Sequence, residues 1–267
     1  GWAVGYPTTE KHDDAGGPMN PSNLFFMIRG YSRLRRLKVP PIVVGGCERS
    51  GTTLLMAVLS AHPRIHAIPE ETWALCYSER AGFKGARPIR MSRLCQYLGN
   101  HELTRSAHRW GEKSPANVFY FGEILSHFGE SVRLIHIVRD GRDVISSVHP
   151  QDPSRPWVPL DRWVEAVQAG TALGDHPQML TIRYEDLILD FENTIGEVIS
   201  FLGESFSPEV RNWHEHARIK QSRNLMGGRV ARAHSNSIRK FDSPDFPYPD
   251  RVGRLMSDPA AHSLLRH

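Results

Sequence analysis

Hydroxyls, glycines and one arginine crowd into a single turn near residue 50. The stretch Gly46-Cys-Glu-Arg-Ser-Gly-Thr-Thr53 follows a short apolar run, Ile42 to Val44, and opens a second apolar segment that Pro63 ends. The order reads as buried strand, glycine turn, helix. The turn nearly spells G-x-x-x-x-G-K-[ST], with Thr52 in the lysine slot and Arg49 three residues earlier. Backbone N–H groups at the helix start would point at an anion, and the hydroxyls of Ser50, Thr52 and Thr53 add donors. The lysine that reaches β- and γ-phosphates is missing. The turn therefore reads as a phosphate cradle that is not built for ATP.

Other chemistry-bearing residues sit where strands should end. Arg64 to Ile68 is a short strand that delivers Glu70 and Glu71, two candidate proton acceptors. Lys113 stands just before Ser114-Pro115, a cap-and-first-turn signal for a helix running to about Phe128. Val132 to Val138 is the best strand in the chain and leads directly into Arg139-Asp-Gly-Arg-Asp, the start of another helix. Met179 to Tyr184 is a further strand that places Tyr184 at its end. Residues 157–173 have helical spacing, Asp190 caps a helix that Gly203 stops, and Ser207-Pro208 opens one more. From about Lys220 the chain reads as basic loops with a short terminal helix. Strands alternating with helices predict an α/β fold, a P-loop-type parallel sheet with helices on both faces. Ligands then bind at the carboxyl ends of the strands, so the Gly46 turn, Arg139 and Tyr184 should converge on one crevice.

Length and composition agree with that reading. The chain has 267 residues, 40% hydrophobic and 23% charged, enough for a sizeable core. We expect a partly irregular extension over 1–38 and a single domain over 39–267. A net charge of +4 suits an anionic ligand and is too small to argue for nucleic acid. The three cysteines, Cys47, Cys76 and Cys95, lack metal-ligand spacing, so no metal is expected. They suggest a reducing, cytoplasmic compartment, with an upstream anchor or signal left open. No apolar run approaches the roughly 20 residues of a membrane span.

In their order, these motifs resemble those of sulfotransferases that use 3′-phosphoadenosine 5′-phosphosulfate. Gly45 to Leu55 is similar to the family's 5′-phosphosulfate loop, which makes Glu48, Arg49, Ser50, Gly51, Thr52 and Thr53 candidate donor contacts. Ile137 to Ser147 resembles its 3′-phosphate motif, which implies that Arg139 and Ser147 hold that phosphate. Arg183-Tyr-Glu-Asp-Leu187 with Phe201-Leu-Gly203 resembles the segments that complete the nucleotide site, Tyr184 among them. Arg-Ser-Gly-Thr-Thr-Leu, Ala-His-Pro and Glu-Glu-Thr together are most similar to the protein-tyrosine sulfotransferase branch and its bacterial relatives. The resemblance implies a glutamate base at Glu71 or Glu70, Arg49 on the transferring group and Lys113 assisting. It also implies that Ser237, Arg239 and Lys240 close over the 3′-phosphate. The acceptor would be a hydroxyl on a carbohydrate, lipid, phenol or peptide.

Two other functions compete with this one. A P-loop nucleotide kinase would want a lysine at position 52, although Asp140 could imitate its magnesium ligand. A non-catalytic nucleotide-binding relative would not need Glu70, Glu71 and Lys113. Histidines at 101, 108 and 149 are alternative bases.

Overall fold

The computed structural model describes residues 21–76, 89–149, 152–219 and 237–266. The elements run α1 (Pro21–Leu34), β1 (Ile42–Gly45), α2 (Thr52–Ala61), β2 (Ile65–Ala67), α3 (Met91–Asn100) and β3 (Arg109–Lys113). A 3-10 helix (Pro115–Tyr120), α4 (Phe121–Phe128), β4 (Arg133–Val138), α5 (Gly141–Ile145), β5 (Val148–His149) and β6 (Asp152–Pro156) follow. The chain continues through α6 (Leu160–Thr171), β7 (Met179–Arg183), α7 (Tyr184–Leu189), α8 (Phe191–Phe201), α9 (Pro208–Arg211) and α10 (Trp213–His216). After a short 3-10 turn (Lys240–Asp242) come α11 (Pro249–Ser257) and α12 (Pro259–Leu264).

Five strands make one parallel sheet in the order β2-β3-β1-β4-β7. Successive side chains of a strand point to opposite faces, and the burial follows that rule. Val43 and Leu134 enter one core with Trp110, Phe121 and Trp163, beneath α3, α4, α6 and the C-terminal helices. Ile42, Val44, Ile135 and Ile137 enter the other, with α2, α8 and α10. Both faces are thus covered, which is why β1 and β4 read as continuous apolar runs. The expected α/β fold is what the chain adopts.

Several local expectations need correction. Arg109–Lys113 is a sheet strand between β1 and β2 that one apolar side chain, Trp110, could not announce. Ser114 precedes a 3-10 helix and does not cap it, because its hydroxyl is spent on Glu112. The Asp190 side chain likewise caps nothing and accepts from Asn193 instead. Ser207 does cap, accepting from the Val210 N–H. Tyr184 opens a helix at the end of β7, and the C-terminus holds two helices where one was expected. Within the expected extension, Pro21–Leu34 is helical and packs on α3, where Arg33 donates to the Leu98 carbonyl at 2.6 Å and the Gly99 carbonyl at 3.2 Å.

Candidate functional site

At the carboxyl end of β1 the chain must turn sharply to enter α2. Gly51 does this in the left-handed region (φ 96°), and a Cβ there would lie 2.3 Å from a ring carbon of Tyr184. Arg49, just before it, also holds a positive φ of 70°. The helix that follows has no side-chain cap, so no capping side chain takes up its first N–H groups. Ser50 is fully buried, and its Oγ has no hydrogen-bond partner among the described residues. An uncapped helix start beside a buried, unsatisfied hydroxyl fits an anion's oxygens.

Cations converge from two other strand ends. Arg139, after β4, donates through Nη1 to the Arg49 carbonyl at 2.8 Å and through Nη2 to the Ser237 carbonyl. Its guanidinium lies 4.4 Å from the centre of the Tyr184 ring, and the Tyr184 hydroxyl donates to Ser237 Oγ at 2.9 Å. Asp143, buried on α5, accepts from the backbone N–H groups of Arg239 (2.8 Å) and Lys240 (2.9 Å). The segment from Ser237 is thereby strapped across Arg139 and Tyr184. Burial, then the neighbouring Arg139, lowers the pKa of both Arg49 and Lys240. An opposite charge placed among these cations would favour their charged forms.

The third strand end carries an ion pair. Lys113 closes β3 and donates to Glu71 Oε1 at 2.5 Å, with side chains 7% and 15% exposed. Val44 lies opposite Lys113 in the parallel ladder, and Gly46 N–H donates to the Pro115 carbonyl at 3.0 Å, so the pair adjoins the phosphate turn. Glu70 points elsewhere and pairs with His101 at 2.7 Å.

The remaining expected residues divide. Thr52 and Thr53 form the first turn of α2. Glu48 is paired with Arg162 of α6 at 3.0 Å. Ser147 lies beyond α5 and donates to the Val144 carbonyl at 2.5 Å; no described contact joins it to Arg139. The Arg239 side chain pairs with Asp242, so only its backbone is tied to the site. His108 serves a different cluster, with Glu204 at 2.6 Å and Arg64, and His149 packs 5.2 Å from the Trp157 ring. Trp157 in turn lies 5.2 Å from the Arg49 guanidinium.

Sequence reasoning missed the support beneath the pair. Glu112 is fully buried, and its carboxylate accepts from Thr72 N–H, Thr72 Oγ1, Ser114 Oγ and Asn117 Nδ2. Burial raises its pKa, and the four donors oppose that rise. The one sequence trace of it, Trp110 and Glu112 two apart and so on one face of a strand, is too short to mark a strand by itself.

A parallel sheet with a glycine turn after β1 and an uncapped helix start defines an α/β domain of the P-loop type. A sequence model of the sulfotransferase family matches residues 40–208, and the chain belongs to that family. This sets the kinase alternative aside, consistently with Asp140, whose carboxylate caps α5 and pairs with Arg142 at 2.6 Å. The chain is 24% identical over 216 residues to a protein-tyrosine sulfotransferase of Drosophila melanogaster, covering 70% of this chain and 42% of that relative. It spans less than half the length of that protein. A sulfotransferase domain from the curacin biosynthetic pathway shares its fold with a TM-score of 0.54 at 20% identity, over 83% of this chain and 97% of that one. A sulfotransferase domain from the Synechococcus PCC 7002 olefin synthase does so at 0.53 and 20%, over 85% and 95%. No described helix is long and apolar enough to cross a membrane.

Proposed function

We propose that the chain transfers a sulfuryl group from 3′-phosphoadenosine 5′-phosphosulfate to a hydroxyl acceptor, with Glu71 as the base. The observation that carries this reading is the Lys113–Glu71 pair, which adjoins an uncapped, hydroxyl-lined phosphate turn flanked by Arg49 and Arg139. When bound, the donor supplies an activated sulfuryl group and a phosphate leaving group. The protein's contribution is positioning and charge. The start of α2, with Ser50, Thr52 and Thr53, receives the 5′-phosphate end. Arg139 and the strap from Ser237 receive the 3′-phosphate, with Lys240 adding positive charge, and Tyr184 flanks the base. Glu71 keeps Oε1 on Lys113 and presents Oε2 to the acceptor, taking the hydroxyl proton as the oxygen attacks. Lys113 and Arg49 face the oxygens on which negative charge accumulates, where preorganised cations act most strongly. Glu70, held by His101, is left as a support.

The acceptor's chemistry is open to a direct screen. Donor labelled with 35S should pass its label to at least one of 2-naphthol, a tyrosine peptide, glucose and 1-decanol. Glu71→Gln should lower that rate at least a hundredfold, within the usual range for losing a general base, and leave nucleotide binding intact. Binding without transfer to any acceptor or to water would instead mark a non-catalytic relative. Full turnover in Glu71→Gln would remove the assigned base.

A further inference from the structure

We infer that Glu112 is a positioning residue of this site: its buried carboxylate fixes the loop carrying Glu71 against the strand carrying Lys113. The inference rests on the reading of Glu71 as the base. The loop that leaves β2 has no regular structure from Glu70 to Trp73, so something else must hold Glu71. Glu112 does so from the neighbouring strand. Its Oε1 accepts Thr72 N–H at 3.2 Å, Thr72 Oγ1–H at 2.9 Å and Ser114 Oγ–H at 2.6 Å, while Oε2 accepts Asn117 Nδ2–H at 2.7 Å. The two hydroxyls relay the hold onward: Thr72 Oγ1 accepts from Ala74 N–H at 3.1 Å, and Ser114 Oγ accepts from Trp73 N–H at 3.2 Å. Three consecutive loop amides are therefore ordered by one carboxylate, immediately after Glu71.

The chemistry of the pocket calls for an anion in particular. All four contacts to Glu112 are donors, and Thr72, Glu112, Ser114 and Asn117 are each fully buried. A glutamine's N–H₂ would face either Asn117 Nδ2 or, turned over, the Thr72 and Ser114 donors, and in both settings the charge that strengthens the bonds to the loop is gone. Arg93 and Arg90 also hold this loop, through the carbonyls of Thr72 and Trp73, so the segment should stay folded when Glu112 is changed. What would be lost is the fixed distance between Glu71 and Lys113. Small misplacements of catalytic groups cost large factors in rate.

The test is a cycle of Glu112→Gln and Glu71→Gln, with transfer of 35S from labelled donor measured on the acceptor panel above and on water. Affinity for 3′-phosphoadenosine 5′-phosphate is measured in every variant. We expect Glu112→Gln to lower kcat at least tenfold, with nucleotide affinity changed less than threefold. In the Glu71→Gln background the same change should cost less than twofold, because a residue that acts through Glu71 has nothing left to position. Thr72→Val, a milder cut in the same relay, should reproduce the pattern at smaller size and serves if Glu112→Gln does not fold. Equal losses in both backgrounds would make Glu112 a general structural residue and overturn the inference. So would an undisturbed kcat in Glu112→Gln together with Thr72→Val. Full activity in Glu71→Gln alone would instead reject the base assignment.

Discussion

Replacing Gly51 by alanine probes the joint between the glycine turn and Tyr184. Two costs add. The residue holds φ 96°, a left-handed conformation that costs an ordinary residue roughly 1–2 kcal/mol. Its new Cβ would also stand 2.3 and 2.8 Å from two ring carbons of Tyr184. Forcing a methyl into a packed site costs about 1–3 kcal/mol more. Tyr184 is poorly able to retreat, since its hydroxyl is bonded to Ser237 and Arg139 lies on its ring. The total is roughly 2–5 kcal/mol, a large part of the ~5–15 kcal/mol by which domains are stable. Urea unfolding should show it as a midpoint lowered by about 0.7–1.7 M, for a slope of ~3 kcal/mol per M. Gly122→Ala and Gly196→Ala are the controls: both lie within helices, and an added Cβ meets nothing within 4 Å. They should be neutral or stabilising by about 0.4–1 kcal/mol. In a Tyr184→Ala background the Gly51→Ala loss should shrink to its backbone part. A midpoint for Gly51→Ala equal to that of the two controls would refute the turn geometry and its packing on Tyr184.

Two further outcomes follow from the surrounding contacts. Asp143→Asn leaves one acceptor for the two strap amides of Arg239 and Lys240. With hydrogen bonds to charged groups worth about 1.5–3 kcal/mol, nucleotide affinity should fall roughly tenfold in calorimetry, and unchanged affinity would release the strap from its role. His66 is buried beside Thr104, with His101, Arg218 and Arg33 adding positive charge around it, and burial chiefly lowers its pKa to about 4. Above the unfolded value near 6.5 both states are neutral, so nothing is lost there. As pH falls from about 6.5 to 4 the unfolded chain takes up a proton that the fold refuses, and stability declines by up to ~3 kcal/mol. His66→Gln should flatten that part of the stability–pH curve, and an unaltered slope would contradict the assignment.

The parts of the chain that could be read in advance are those where one force dominates. Strands β1 and β4 are buried on both faces and carry little but apolar side chains, so they and the glycine turn were visible. Strand β3 was not, because it buries Arg109, Glu112 and Lys113 by pairing them with partners far away in sequence. Arg109 finds the Leu202 carbonyl and Glu204, Glu112 finds the Thr72 loop, and Lys113 finds Glu71. No local pattern encodes such partners. The same reason separates Glu70 from Glu71. They are adjacent and chemically alike, and only the fold directs one to His101 and the other to Lys113. The helix over residues 21–34 was hidden by a different cause. Its first turn lacks acidic residues, and it depends on packing against α3 and on Arg33 reaching that helix's last carbonyls.

The central claim concerns which nucleotide the turn and Arg139 receive together. Calorimetric titration of 3′-phosphoadenosine 5′-phosphate without magnesium measures this directly, against adenosine 5′-phosphate as the partner lacking the 3′ group. The account predicts tight binding that exceeds the 5′-phosphate by at least tenfold, with that excess abolished in Arg139→Ala. Equal affinity for the two nucleotides, or magnesium-dependent binding of ATP that ignores Arg139, would contradict it.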